Sequence, residues 1–292
     1  MPKGLREIRN RIKSVKSTGQ ITRAMQLVAS SKMKRAQDSA RAGRAYAELL
    51  GEILDTAQAK VGEFSHPLLT KREVKVRGIL LVTPDKGMAG ALNGNLIRLA
   101  AEQKDAVFVC IGRKGAQALA RSGRKVLADF PVTDRATFNE VRPAAEYLIK
   151  AFTEGTVDTV EVLFAHFKNT MVQTPRVQQL LPADSLVAQA REFRVKLGLP
   201  EPKIEDDERD MLFEPSAAAI LSQLPALFFK QAVHQAVLES KASEFSARMV
   251  AMKAATDNAK KIGAALSLEY NKARQAAITQ EILELTAGAA AQ

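Results

Sequence analysis

The chain has 292 residues, 46% of them hydrophobic, enough to bury a sizeable core in one or two domains. A single cysteine, Cys110, excludes an internal disulfide, and a formal net charge of +11 directs attention to anionic partners. No stretch approaches the ~18 uncharged apolar residues that a membrane span needs, and the start MPKGLREIRNRIK lacks the apolar run of a signal peptide; the protein is expected to stay in the compartment where it is made.

The charge is concentrated at the start. Met1 to Ala45 holds twelve Lys or Arg against two acids, Glu7 and Asp38, which suits either a solvated basic helix face or a helix matched to an acidic partner. From Pro2 to Ala59 no further proline occurs, and Leu5, Ile8, Ile12, Val15, Met25, Val28, Leu49, Leu50 and Ile53 recur at spacings near three and four. This predicts one long helix. Gly19, Gly43 and Gly51 each weaken it by about 1 kcal/mol relative to alanine and mark where it could break. His66 and Pro67 end the segment.

The middle of the chain changes period. Val76–Val82, Ala106–Gly112 and Thr159–Phe167 are short, apolar and rich in β-branched residues, the pattern of buried strands, and Cys110 falls within one of them as a buried thiol. Helical spacing fills the gaps in NGNLIRLAAEQ, RKGAQALARSG and Phe138–Phe152. Strands alternating with helices predict an open, largely parallel α/β sheet over about residues 74–200. Leu199–Pro215, with Pro200, Pro202 and the run EDDERD, reads as an acidic surface loop.

From Pro215 only Pro225 interrupts a second long helical stretch. Its stripe runs Phe245, Met249, Met252, Thr256, Ala259, Gly263, Leu266, Tyr270, Ala273, Ala277, alternating four and three residues as a coiled-coil seam does. About 75 residues at 1.5 Å each span roughly 110 Å, more than one α/β domain can cover. The two terminal helices are therefore expected to pair, antiparallel because one enters the domain and the other leaves it. The second outlasts the first by roughly 18 residues, about 27 Å, so its alanine-rich tip should stand alone.

Chemistry is conspicuous by its absence. There is no GxxxxGK[ST] phosphate loop and no GxSxG elbow, and His66, His166 and His234 lack metal-ligand spacing. The turn PDKGMAGALNGNL, Pro84 to Leu96, could present backbone N–H groups to an anion but lacks the GxGxxG spacing, so it reads as structural. The basic helix has no interleaved aromatics with which to stack on bases. A nucleotide-binding enzyme and a basic nucleic-acid-binding protein are the competing classes.

Four motifs carry a family resemblance from end to end: ITRAMQLVASSKMKRAQ (Ile21–Gln37), DKGMAGALNGNL (Asp85–Leu96), RMVAMKAATDNA (Arg248–Ala259) and YNKARQAAITQEILEL (Tyr270–Leu285). Together they resemble the γ subunits of bacterial F-type ATP synthases. The resemblance implies a long antiparallel coiled coil of N- and C-terminal helices, residues 1–60 and 215–292, on a Rossmann-like α/β head, residues 74–200. It implies a non-catalytic rotor with no cofactor and no metal, one copy per complex, coupling proton flow to ATP synthesis and hydrolysis. The implied partners are the α/β hexamer, the ε subunit and the membrane c-ring, with no nucleic acid, at the cytoplasmic face of the inner membrane as a peripheral protein. Carried over position by position, Met25, Arg248, Arg274, Gln275, Thr279 and Glu281 are the residues implied to contact the hexamer. Where the family's turn usually reads DRGLCGG, this chain reads DKGMAGA, with Ala89 in place of the cysteine.

Overall fold

The computed structural model of the protein describes residues 3–61, 65–182, 214 and 216–290. Two compact units emerge: Met1–Ser30 with Arg248–Gln292, and Ser31–Ala247. The acidic run expected as a loop lies outside the described residues. No helix among the described residues is long and apolar enough to cross a membrane.

The larger unit is built on a five-stranded sheet in the order β3-β2-β1-β4-β5. Its strands are β1 (Arg77–Val82), β2 (Ala106–Ile111), β3 (Val126–Phe130), β4 (Thr159–Phe167) and β5 (Gln173–Leu181). The first four run parallel, with Leu80 level with both Val109 and Val162, while β5 returns antiparallel against β4. Strands β1, β2 and β4 fall where apolar, β-branched runs predict them. The edge strands β3 and β5 are additions to that expectation. In β5 the sequence QTPRVQQLL offers little apolar signal, and Pro175 is tolerated because an edge strand can do without one ladder donor.

Side chains alternate across the pleat and divide the core in two. Leu80, Val82, Val109, Ile111, Val162 and Phe164 face one way; Ile79, Leu81, Phe108, Cys110, Leu163 and Ala165 face the other. The second face is covered by Leu92, Leu96 and Ala100 of α2 (Leu92–Glu102) and Leu119 of α3 (Arg113–Arg121). The first is covered by α4 (Phe138–Thr153) and by Phe229, Val233 and Val237 of the last helix, α5 (Ala217–Ala290). Each such buried aliphatic or aromatic side chain contributes about 1.5–3 kcal/mol, so the sheet and its covering helices form one cooperative core. Cys110 is fully buried; the loss of solvent, and then the charge of Asp129, push its thiol up to about 12.

The first helix, α1 (Lys3–Val61), is continuous through Gly19, Gly43 and Gly51, and α5 is continuous through Pro225. Neither the glycines nor Pro225 breaks its element, although each carries a propensity cost of about 1–3 kcal/mol. After α1, the His66 ring nitrogen accepts from the Leu68 amide at 3.1 Å and caps a single 3-10 turn, Pro67–Leu69. A capping box starts α4, where the Thr137 amide donates to Glu140 at 2.9 Å.

The join between β2 and α3 depends on Gly112, at φ +101. A β-carbon there would lie 1.8 Å from the Thr83 carbonyl oxygen, while the Thr83 hydroxyl donates to the Gly112 carbonyl at 3.1 Å and accepts from the Gly115 amide at 2.9 Å. Gly123 also has positive φ, +68, but nothing lies within 4 Å of its missing β-carbon. G112A should therefore lower unfolding free energy by more than about 2 kcal/mol, and G123A by only about 1, in urea titrations of the full chain. Equal costs would contradict the close packing of Thr83 on Gly112.

Candidate functional site

An open α/β sheet binds ligands in the crevice outside the carboxyl ends of its strands, where the connections diverge. Here that point lies between β1 and β4, since β1 leads through β2 to β3 on one side while β4 returns on the other. Helix α5 crosses the end of β4 beside it. Ser243 donates to the Ala165 carbonyl at 2.8 Å and Ser246 to the Thr170 carbonyl at 2.7 Å. Glu239 accepts from the Phe167 amide at 3.2 Å and pairs with His166. The protein's own side chains take up the strand-end polar groups that a ligand would otherwise engage.

The glycine turn after β1 is no better suited to an anion. Asp85 accepts from the Arg113 amide at 3.0 Å, which sets a carboxylate at the mouth of the turn. Met88 and Gly90 carry positive φ, +62 and +59, so the turn's shape is a backbone property. Among the described residues, no group of three or more His, Cys, Asp or Glu is placed to hold a metal ion. Burial lowers the pKa of His234 and outweighs its 2.8 Å bond to the Ala136 carbonyl, which acts in the opposite sense.

The smaller unit pairs the start of α1 with the end of α5. Thr22 and Thr256 hydroxyls lie 2.8 Å apart; a β-carbon at Gly19 would sit 3.3 Å from that of Ala259, and one at Gly263 would sit 3.9 Å from Val15. As the number on one helix rises that on the other falls, so the pair is antiparallel. On α5 the expected seam is borne out: Met252, Thr256, Ala259 and Leu266 are buried, and Gly263, Tyr270, Ala273 and Ala277 are half-buried. On α1 the seam runs Leu5, Ile8, Ile12, Val15, Gly19, Thr22, Ala29, and it departs from the predicted stripe at Val28, which is 54% exposed. Glycine and threonine carry no apolar signal, yet small seam residues are what allow close approach and an interhelical hydroxyl bond. The two hydroxyls bring two protons to three contacts, with each other and with the Gly19 and Met252 carbonyls. The bond between the helices therefore competes with a back-bond within one of them.

The register sets out the six expected contact residues in two groups. Met25, half-buried, and Arg248, 9% exposed, lie within about two turns of each other along the pair. Arg274, Gln275, Thr279 and Glu281 lie roughly 30–50 Å further along, all exposed. At 100° per residue, Arg274 and Glu281 share one face, and Gln275 and Thr279 share another. The Thr279 hydroxyl is turned onto the Gln275 carbonyl at 3.0 Å. Leu5 is level with Ala273, so α5 continues for more than a dozen residues beyond the start of α1. There Ile278, Ile282, Leu283 and Leu285 are 48–74% exposed.

Among the described residues the chain sets out an α/β framework whose β4 end is lined by α5, and an antiparallel two-helix element. A family model described as ATP synthase matches residues 4–292. A protein named ATP synthase gamma chain from Opitutus terrae is 53% identical over 283 residues, covering 97% of this chain and 96% of its own. Another so named, from Akkermansia muciniphila, is 44% identical over 284 residues, covering 97% of both. Among solved structures, a chain in the rotor of the Euglena gracilis mitochondrial ATP synthase is alike in fold, with TM-score 0.65 at 18% identity over 95% of this chain and 100% of its own. The chain belongs to the ATP synthase gamma-chain family.

With α5 engaging the end of β4 and Asp85 at the mouth of the turn, the isolated full-length chain is expected not to bind ATP at micromolar concentration. Equilibrium dialysis measures this directly, and stoichiometric uptake would contradict the account of the crevice.

Proposed function

We propose that this chain is the central rotor shaft of an F-type ATP synthase. It couples ion flow through a membrane ring of c subunits to ATP synthesis and hydrolysis at sites on the β subunits of a surrounding α/β hexamer. It holds no catalytic residue, cofactor or metal of its own. The α/β unit meets the ε subunit and the c-ring at the cytoplasmic face of the bacterial inner membrane, one copy serves each complex, and the helical pair turns inside the hexamer.

The observation that carries this reading is the outer surface of the helical unit. Ile21, Leu27, Val28, Ile262 and Leu268 lie 51–63% exposed along it, and Ile278, Ile282, Leu283 and Leu285 follow at the tip. Scattered exposed apolar residues are ordinary; a series of them along one slender element suits a surface that slides within a sleeve. A rotor also needs contacts strong enough to push and weak enough to break. Exposed polar groups such as Arg274, Gln275, Thr279 and Glu281, worth about 0–1 kcal/mol per ion pair, meet that requirement. The basic stretch of α1 around Met25 suits an acidic loop on a passing β subunit.

The test joins Met25 to that loop. In the assembled complex, M25C is paired with a cysteine on the acidic β-subunit loop and oxidised; Cys110, buried with its thiol raised, stays silent. A disulfide forms only across a Cα separation of roughly 4.4–6.8 Å, so its formation reports the contact. One bond per complex should abolish ATP turnover, and reduction should restore it. Full turnover by a complex whose cross-link is verified on a gel would overturn the rotor reading.

A further inference from the structure

Within the larger unit, α1 near Ala36 meets the α/β framework partly through small side chains. Ala36, with Met33 beside it, meets Ala242, Phe245 and Phe167, and Ala40 touches the main core. Next to this contact a cavity of about 670 Å³ opens between Lys32, Arg35 and Asp38 of α1, Asp134 and Arg135 of the β3–α4 loop, and His234 of α5. Alanines beside a cavity give a helix little resistance to rolling or sliding, since interlocking side chains are what fix its setting. A directional polar contact spans the gap instead: Lys32 pairs with Asp134. The same ammonium lies 5.8 Å from the centre of the Phe245 ring on α5.

The loop bearing Asp134 is held from several sides. Ala136 sits at φ +47 with its carbonyl bonded to His234 at 2.8 Å, and Glu140 takes bonds from the Thr133 hydroxyl at 3.1 Å and the Thr137 amide at 2.9 Å. Lys241 of α5, 4% exposed and 3.6 Å from Glu244, lends its charge to both Asp134 and Glu140. Partial burial pushes the Asp134 carboxyl up, but the bond to Lys32, its charge, and those of Lys241 and Lys86 offset this and hold it below its ordinary value. Asp134 is thus a held carboxylate facing Lys32 of α1, and because the pair is half-exposed it adds little to stability and contributes direction instead.

We propose that Asp134 is a positioning residue of the rotor: paired with Lys32 it fixes the setting of α1 on the α/β framework, so that torque applied to the framework is delivered to that helix. This rests on the rotor reading. The experiment uses the complete complex with its hexamer fixed to a surface, catalysis paused, and an optical probe on R98C, an exposed position of α2. The angular variance of the probe reports torsional stiffness. D134N and K32M should each raise the variance at least about twofold, and the double variant should be no worse than either, as for two members of one interaction. K32R should restore the original stiffness, and unloaded ATP turnover should be unaffected throughout. Unchanged variance in the single variants, or additive effects in the double variant, would overturn the proposal. So would loss of assembly in D134N and K32M alike, which would make the pair a folding element. A probe on the unsubstituted complex that never turns under ATP would instead sink the rotor reading itself.

Discussion

The constraint on which the rest of this structure depends is the passage of α5 across the carboxyl edge of the sheet. Phe229, Val233 and Val237 bury against one face, and a few residues on Ser243, Ser246 and Glu239 engage the backbone at the end of β4 and just beyond it. That passage takes up backbone groups at the end of β4 and secures α5 to the sheet by apolar and polar contacts at once. An α/β framework that could have hosted chemistry becomes a mounting for a mechanical element.

The helical unit follows a complementary logic. A shaft has to be stiff along its length and smooth around it. Stiffness comes from the narrow seam, where Gly19, Ala259 and Gly263 bring the helices close and the Thr22–Thr256 bond ties them. Smoothness comes from an outer surface of single apolar side chains and exposed polar groups. The tip of α5, beyond the start of α1, loses the paired seam and keeps only its outer surface. In the rotor reading Arg274 and Gln275 lie where α1 begins, and Thr279 and Glu281 lie on the tip.

Much of this was legible in the sequence, and the reasons are physical. Strands β1, β2 and β4 lie inside the sheet and are covered on both faces, so they must be continuously apolar, and the reader finds them. Strands β3 and β5 are edges; Asp129 and Pro175 are tolerated there because one side is unpaired, and the same freedom erases the pattern. The α5 seam is visible because Phe245, Met249, Met252, Leu266 and Tyr270 carry an apolar signal at regular spacing on either side of its small members. The α1 seam is partly hidden because it passes through glycine and threonine, where closeness rather than hydrophobicity is selected, and Val28 looks like a seam residue while facing outward. The Lys32–Asp134 pair, 102 residues apart in sequence, leaves no periodic trace. The docking of α5 on the end of β4 is equally silent, since Ser243 and Ser246 read as ordinary helix positions until the fold brings them there.

The central claim is that this chain is the moving part of its assembly. The most direct measurement fixes the α/β hexamer of the reconstituted complex to a surface, attaches a probe to the α/β unit of this chain, and follows the probe while ATP is hydrolysed. The account predicts unidirectional, stepwise rotation whose rate tracks ATP turnover. A probe that keeps a fixed orientation while the hexamer turns over ATP at its full rate would contradict it.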